Sequence, residues 1–251
     1  MKQVNTKRIL FIPDLHLPCH HSEAFKFLKW IKEVLRPTLV ISIGDLMDNQ
    51  ALSFFERNPE LPGALGELIM AKDAMQILYK LFPDLLIVKG NHDYRPERVA
   101  TRAGLPSEYL KTMPTLLNSP EGWEFRNDIR LVLPTGDHLY VAHDCGRSLK
   151  KAVSGRAQSV VQGHYHSKMK ITYFSNHYSL NFGMNVGCLV DQDHPAFNYM
   201  LNSSKIATRD RSLLGTGAII EGSPMLFPMY LRNDKWVKPL SEQQIKGWRI
   251  K

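Results

Sequence analysis

The chain has 251 residues, 43% apolar and 22% charged, a composition that bounds it to a soluble globular protein able to bury a full core. No apolar run approaches the roughly 20 residues of a membrane helix, and Met1 to Arg8 show no apolar signal core, so a cytoplasmic protein with no membrane partner is expected. The net charge of +8 is uneven: residues 1–145 hold 17 Lys and Arg against 18 Asp and Glu, while residues 146–251 hold 15 against 6. That basic second part suits a phosphate-bearing substrate or nucleic acid, or serves solubility alone.

Cys19, Cys145 and Cys188 form no C-x-x-C pair and read as reduced thiols, although Cys145 stands two residues from His143, near enough to approach a metal held there. Arg8 to Pro13 is an apolar strand that ends at Asp14-Leu15-His16, and alternation lets Asp14 and His16 point the same way. Ser22 is the expected N-cap of the next helix, with Glu23 in its first turn. Ala24, Phe27, Leu28, Ile31, Val34 and Leu35 keep helical spacing until Arg36-Pro37.

Leu39 to Ile43 is a second strand and runs into Gly44-Asp45-Leu46-Met47-Asp48. A helix over about Ala64–Leu81 stops before Pro83, and a third strand, Leu85–Val88, delivers Gly90-Asn91-His92-Asp93. Three successive strands thus end in groups that can bind a cation or move a proton, and open α/β sheets collect binding residues at the carboxyl ends of their strands.

Residues 94–128 read as short helices and loops, a lid or specificity segment in which Tyr94, Arg95, Arg98, Arg102, Tyr109, Trp123 and Phe125 either stack on a base and hold phosphate or simply pack. Ile129–Leu133 and His138–Ala142 form a hairpin around Pro134-Thr135-Gly136-Asp137 that ends at His143-Asp144. Ser148–Val153 is a short helix closed by Gly155, and the strand Val160–Gln162 ends at Gly163-His164-Tyr165-His166. Further strands are expected at Lys170–Phe174, Tyr178–Phe182, Val186–Val190, Gly217–Glu221 and Met225–Leu231, the last two joined by a hairpin turn at Gly222-Ser223-Pro224, with a surface helix from Leu240. No repeat or linker divides the chain, so 1–251 reads as a single domain.

The strand-end groups are Asp14, His16, Asp45, Asn91, His143, His164 and His166. Their number and type match the ligands of two adjacent divalent ions sharing one carboxylate. Two ions roughly 3.5–4 Å apart clamp the attacking and leaving oxygens at phosphorus. Mixed imidazole and carboxylate ligands favour Mn, Fe, Zn or Ni over Ca, with Co and Mg also open.

In order, Asp14-x-His16, Gly44-Asp45-x-x-Asp48, Gly90-Asn91-His92-Asp93, His143 and Gly163-His164-x-His166 resemble the calcineurin-like metallophosphoesterase family over roughly residues 8–190, and the compact chain resembles its small phage-encoded members. The resemblance implies an α/β fold, a four-layer α/β/β/α sandwich of two mixed β-sheets with a dinuclear centre at one edge. It implies Asp14, His16, Asp45 and His166 around one ion, and Asp45, Asn91, His143 and His164 around the other. It also implies a metal-bound hydroxide as nucleophile and His92, steadied by Asp48, as general acid. A carboxylate beside an imidazole raises its pKa, which suits that role. Substrate contacts are expected from Asn91, His92, Tyr94 and Arg95.

The chain departs from the family's protein phosphatases. Asn49-Gln50 stand where those carry Arg-Gly, and Asp93 stands where they carry Glu; Asp144 follows His143 where the family usually has glycine. The expected activity is a metal-dependent phosphomonoesterase on (deoxy)nucleoside 5′-monophosphates. The alternatives are a DNA phosphodiesterase or nuclease, and a binding module without activity.

Overall fold

In the computed structural model, which describes residues 5–54, 58–200 and 211–238, the first strand, β1 (Arg8–Ile12), divides its side chains between two cores. Leu10 and Ile12 face one apolar cluster, Ile9 and Phe11 the other. That alternation is the pleat of a strand buried on both faces, and it makes β1 the floor of one layer and the ceiling of the next.

After β1 come α1 (Ala24–Leu35), β2 (Leu39–Ser42), α2 (Ala64–Leu81) and β3 (Leu85–Val88). Then follow α3 (Arg95–Arg102), α4 (Met113–Leu117) and β4 (Trp123–Arg126). The order β1-β2-β3-β4 is parallel throughout, and β10 (Gly215–Ile220) and β11 (Ser223–Pro228) extend the sheet antiparallel beyond β1. The second sheet has the order β5 (Ile129–Val132), β6 (His138–Val141), β7 (Ser159–Gln162), β9 (Leu180–Val186) and β8 (Met169–Ser175), again with both pairing senses. Ile41, Ile43 and Val88 from the first sheet meet Leu139, Val141, Val161 and Met184 from the second between the two sheets. Phe27, Leu28 and Ile31 of α1 and Met75 and Leu78 of α2 cover the outer face of the first sheet. Ala152 and Val153 of α5 (Leu149–Arg156) cover Val160 on the second. The layers are therefore helix, sheet, sheet, helix, as expected. A small hairpin, β12 (Leu231–Arg232) and β13 (Lys235–Trp236), lays Trp236 against Phe27 and Trp30 of α1.

Several local expectations are corrected. Ser22 does not cap α1: Glu23 holds the cap position, with its backbone N–H on His21 Nδ1 and its carboxylate on Lys26. Part of the 94–128 segment is a true strand, because β4 pairs in parallel with β3 and Trp123 donates its indole N–H to Phe82 O at 2.8 Å. Gly155 lies inside α5, which instead ends at Ala157 in the left-handed region. Of the two strands expected over 178–190 one forms, β9, and it breaks off at Val186 before Gly187 (φ 82), where a Cβ would lie 2.5 Å from Leu213 O. Beyond that break the chain makes isolated bridges to Asp14 and His20. The helix expected from Leu240 lies outside the described residues. Among the described residues no helix is long and apolar enough to cross a membrane.

Candidate metal centre

The carboxyl ends of β1, β2, β3, β6 and β7 converge, and each carries one of the sequence motifs. The backbone there is unusual. His16, Asp45 and His164 have φ of 50, 45 and 65, in the left-handed region that is uncommon for residues other than glycine. Two motif glycines make room for carboxylates: a Cβ at Gly90 would stand 2.1 Å from Asp45 Oδ1, and one at Gly163 would stand 2.3 Å from Asp14 Oδ1.

The seven strand-end groups fall into two sets that meet at Asp45. In the first, His166 Nε2 is 3.1 Å from Asp14 Oδ2, and His16 Nε2 is 3.2 Å from His166 Nε2 and 3.5 Å from Asp45 Oδ2. In the second, His143 Nε2 is 3.2 Å from Asp45 Oδ2 and 2.9 Å from Asn91 Oδ1, which is also 2.9 Å from His164 Nδ1. Ligand atoms of Asp14, His16 and His166 lie within 4.8 Å of one another, and so do those of Asp45, His143 and His164.

The neighbours of each ring fix which nitrogen faces inward. His143 Nδ1 donates to Ile43 O at 2.9 Å and His16 Nδ1 lies 2.7 Å from Asp48 Oδ1, leaving both Nε2 atoms on the inner side. Backbone N–H groups steady both carboxylates: that of His92 donates to Asp45 Oδ1 and that of His164 to Asp14 Oδ2, the oxygen that also faces His166, each at 2.8 Å.

These donors fit divalent ions. Asp14 Oδ1 is buried and has no hydrogen-bond partner among the described residues, a costly state for a carboxylate unless a cation meets it. Imidazole nitrogens also approach each other at 3.2 Å in both sets, which a shared cation would reconcile. Burial would raise the Asp45 carboxyl, but His143, His92 and His16 hold it well below the usual carboxylate range. Burial would likewise lower His143, yet Asp45 and Asp14 push it up to about 10.

His92 borders the first set, with a ring nitrogen within 4.8 Å of ligand atoms of His16 and Asp45. Its Nδ1 is 2.9 Å from Asp48 Oδ1 and its Nε2 is 3.1 Å from Arg95 Nη2. Burial pulls its pKa down, but the bond to Asp48 and the charge of Asp45 carry it above the ordinary value. Arg95 is buried, with Nη1 donating to Asp48 O at 2.9 Å. Tyr94 is not brought to the cluster: its hydroxyl donates to Asn127 Oδ1 at 2.6 Å and its ring lies under Lys89. Cys145 is not part of a metal-ligand group either; it packs against the α5 cluster, where burial pushes its thiol up to about 11.

Two residues matter that the motifs alone did not assign. Asp93 accepts N–H groups from Met47 at 3.0 Å and Gly90 at 2.8 Å, so it ties the loop carrying Asp45 to the loop carrying Asn91 and His92. Burial and the nearby Asp45 charge push its carboxyl up to about 6. Asp144 accepts from the Tyr165 hydroxyl at 2.9 Å and lies beside His164. The signal for Asp93 was its place in the tetrapeptide; for Asp144 it was the departure from glycine.

Residues 7–186 match the family model described as calcineurin-like phosphoesterase. No curated protein matches the chain. Among solved structures, the chain is similar to vacuolar protein sorting 29 from Cryptosporidium parvum, with 16% identity, a TM-score of 0.48 and coverage of 92% of this chain and 94% of that one. It is similar to Vps29 of Chaetomium thermophilum at 14% identity and a TM-score of 0.40, covering 84% and 83%. It is also similar to Pseudomonas putida nuclease MPE at 12% identity and a TM-score of 0.34, covering 88% and 85%.

Proposed function

Because this chain belongs to the calcineurin-like phosphoesterase family, whose chemistry is metal-dependent hydrolysis of phosphoesters, we propose that it is a phosphomonoesterase acting on (deoxy)nucleoside 5′-monophosphates. The observation that carries the reading is the meeting of two donor sets at Asp45 Oδ2 with His92 beside them. Asp14, His16, Asp45 and His166 would hold one divalent ion, and Asp45, Asn91, His143 and His164 the other. Mn, Fe, Zn, Ni, Co and Mg suit these donors. When bound, the ions supply positive charge to the phosphoryl oxygens and lower the pKa of a water.

The rest is done by the chain. Asp48 orients His92 through Nδ1; Nε2, which faces the Arg95 Nη2 donor at 3.1 Å, would hold a proton for the leaving oxygen once that guanidinium turns to the phosphate. Arg95 Nη2, beside that nitrogen, offers a cation to a dianionic monoester on the same side. We read it as the feature that favours a monoester, in place of the arginine that Asn49-Gln50 lack in sequence. Residues 94–128 then act as a specificity segment within a single catalytic domain, and the form Gly-Asn-His-Asp, commoner among the family's nucleotide and phosphodiester enzymes, supports a nucleotide substrate. Release of phosphate from a panel of nucleotides, sugar phosphates and phosphopeptides, with each metal in turn, tests the proposal. A protein that frees phosphate from no nucleotide refutes it.

One observation favours DNA phosphodiester hydrolysis as a second reading. Lys168 lies over the Tyr165 ring at 4.4 Å, next to His164, and burial together with Arg147 and Lys170 lowers its ammonium pKa. Cations crowded on that rim suit a further phosphate along a strand. Salt-sensitive DNA binding and cleavage of bis-p-nitrophenyl phosphate would select this reading over the first.

A further inference from the structure

His143 and His164 stand on separate turns, one after β6 and one after β7. Several contacts join those turns. The Gly163 N–H donates to His143 O at 3.1 Å. The Gln162 side chain accepts from the Cys145 N–H at 2.8 Å and donates to Gly146 O at 3.2 Å. Lys168 Nζ donates to Arg147 O at 3.0 Å. Asp144 sits at the centre of this seam, and its Oδ1 accepts both the Gly146 N–H at 2.7 Å and the Tyr165 hydroxyl at 2.9 Å.

Those two bonds fix the direction of the carboxylate. Its other oxygen, Oδ2, lies 3.9 Å from His164 Nε2, a distance for Coulombic attraction or a bridging water rather than a direct hydrogen bond. On the far side of the same ring, Nδ1 is 2.9 Å from Asn91 Oδ1 and 3.2 Å from His143 Nε2. His164 therefore turns one nitrogen toward Asp144 and the other into the second donor set.

His164 needs such help more than the other histidines of the centre. Its side chain is 34% exposed, against 2% for His16, 6% for His143 and 20% for His166. Packing locks His143 and His16, and each has a close acceptor behind it, Ile43 O and Asp48 respectively. Behind His164 the group in that place is Asp144, and the Tyr165 ring meets His164 edge-on with centroids 4.9 Å apart.

We propose that Asp144, held by the Tyr165 hydroxyl, is a positioning residue for the second ion seat: its charge, facing Nε2 across 3.9 Å, favours the neutral His164 ring protonated on Nε2 and leaves the Nδ1 lone pair for a divalent cation. The inference rests on the dinuclear reading above. Groups that hold the outer nitrogen of a metal-binding histidine are worth about 10- to 100-fold in metal affinity.

The test uses the full chain, stripped of metal and titrated with Mn²⁺ by calorimetry, with electron paramagnetic resonance to report a spin-coupled pair. Asp144→Ala is expected to weaken the second ion by about 10- to 100-fold while the first keeps its affinity. The coupled signal then appears only at higher Mn²⁺. Tyr165→Phe, which removes a single oxygen, is expected to shift the second ion the same way by less. Asp144→Glu is expected to restore part of the loss. An unchanged melting midpoint of the metal-free Asp144→Ala chain accompanies these results if the residue positions rather than builds. The proposal is overturned if Asp144→Ala and Tyr165→Phe take up two ions with parental affinity, or if both ions weaken alike. A parent chain that takes no second ion removes the dinuclear reading and this inference together, a result distinct from an unaffected variant.

Discussion

Asp48 Oδ1 lies 2.9 Å from His92 Nδ1, and the same oxygen lies 2.7 Å from His16 Nδ1. One buried carboxylate thus orients a ring beside the donor sets and a ring within them. The two rings meet edge-on with centroids 4.4 Å apart. In the proposed mechanism proton delivery and ion binding would share this support, and substitutions should separate them.

His92→Ala is expected to keep the metal and lose turnover by about 10²- to 10⁴-fold, the usual worth of general acid catalysis. Alkyl phosphates, whose leaving oxygen needs a proton, should suffer more than activated aryl phosphates. Initial rates on a series of leaving groups check this. A uniform loss across the series would assign His92 a supporting role instead.

Asp48→Asn should touch both functions. Its amide oxygen can accept one ring N–H, but the charge facing two imidazoles is gone. Turnover should fall, and the affinity of the ion seated by His16 should fall by about 10- to 100-fold. Metal titration separates it from His92→Ala, in which affinity stays near the parental value. Parental metal affinity in Asp48→Asn would show that His16 is held by packing alone.

Much of this centre was legible before any coordinates. Each donor motif follows a short β-branched run, and strand ends gather in α/β sheets, so Asp14, His16, Asp45, Asn91, His143, His164 and His166 could be grouped from order alone. The four layers were implied by the family resemblance, not by these runs, and the burial of β1 on both faces agrees with them. Direction was harder to read. Tyr94 and Arg95 are adjacent, yet at the start of α3 successive residues diverge by about 100°, sending Tyr94 to Asn127 and Arg95 to His92. The strand β4 was missed although Trp123-Glu124-Phe125-Arg126 alternates as a half-buried strand does, because the run is only four residues long and follows a proline-rich stretch. Left-handed backbone at His16, Asp45 and His164 leaves no mark in composition; tertiary bonds such as His16 N–H to Asp45 O, at 2.9 Å, accompany it.

Asp45→Asn is expected to release one or both ions, because both donor sets reach Oδ2 of this fully buried side chain. An ion that binds only the folded chain adds about 2.7 kcal/mol at a free concentration 100 times its Kd. A chelator should therefore lower the melting midpoint of the parent and leave Asp45→Asn nearly unmoved. Equal metal content in parent and variant, by elemental analysis, would contradict the bridging role.

Metal uptake should also release protons, and His143 shows why. Its Nδ1 faces Ile43 O at 2.9 Å, and its Nε2 faces Asn91 Oδ1 at 2.9 Å and Asp45 Oδ2 at 3.2 Å. Acceptors on both sides favour the doubly protonated ring in the metal-free chain. Despite burial, Asp45 and Asp14 raise its pKa from 6.5 to about 10. At pH 7 a cation must displace the Nε2 proton, so apparent affinity should climb about tenfold per pH unit for each proton released, until pH approaches that value. The sign for stability is opposite. A raised histidine pKa contributes stability to the metal-free fold that is complete below 6.5 and is lost as pH rises toward about 10. The metal-free chain should therefore soften over that window while the loaded chain does not. Calorimetry at pH 7 in buffers of different ionisation enthalpy counts the protons. Binding heat that is independent of the buffer would mean that no proton leaves and that His143 is already neutral.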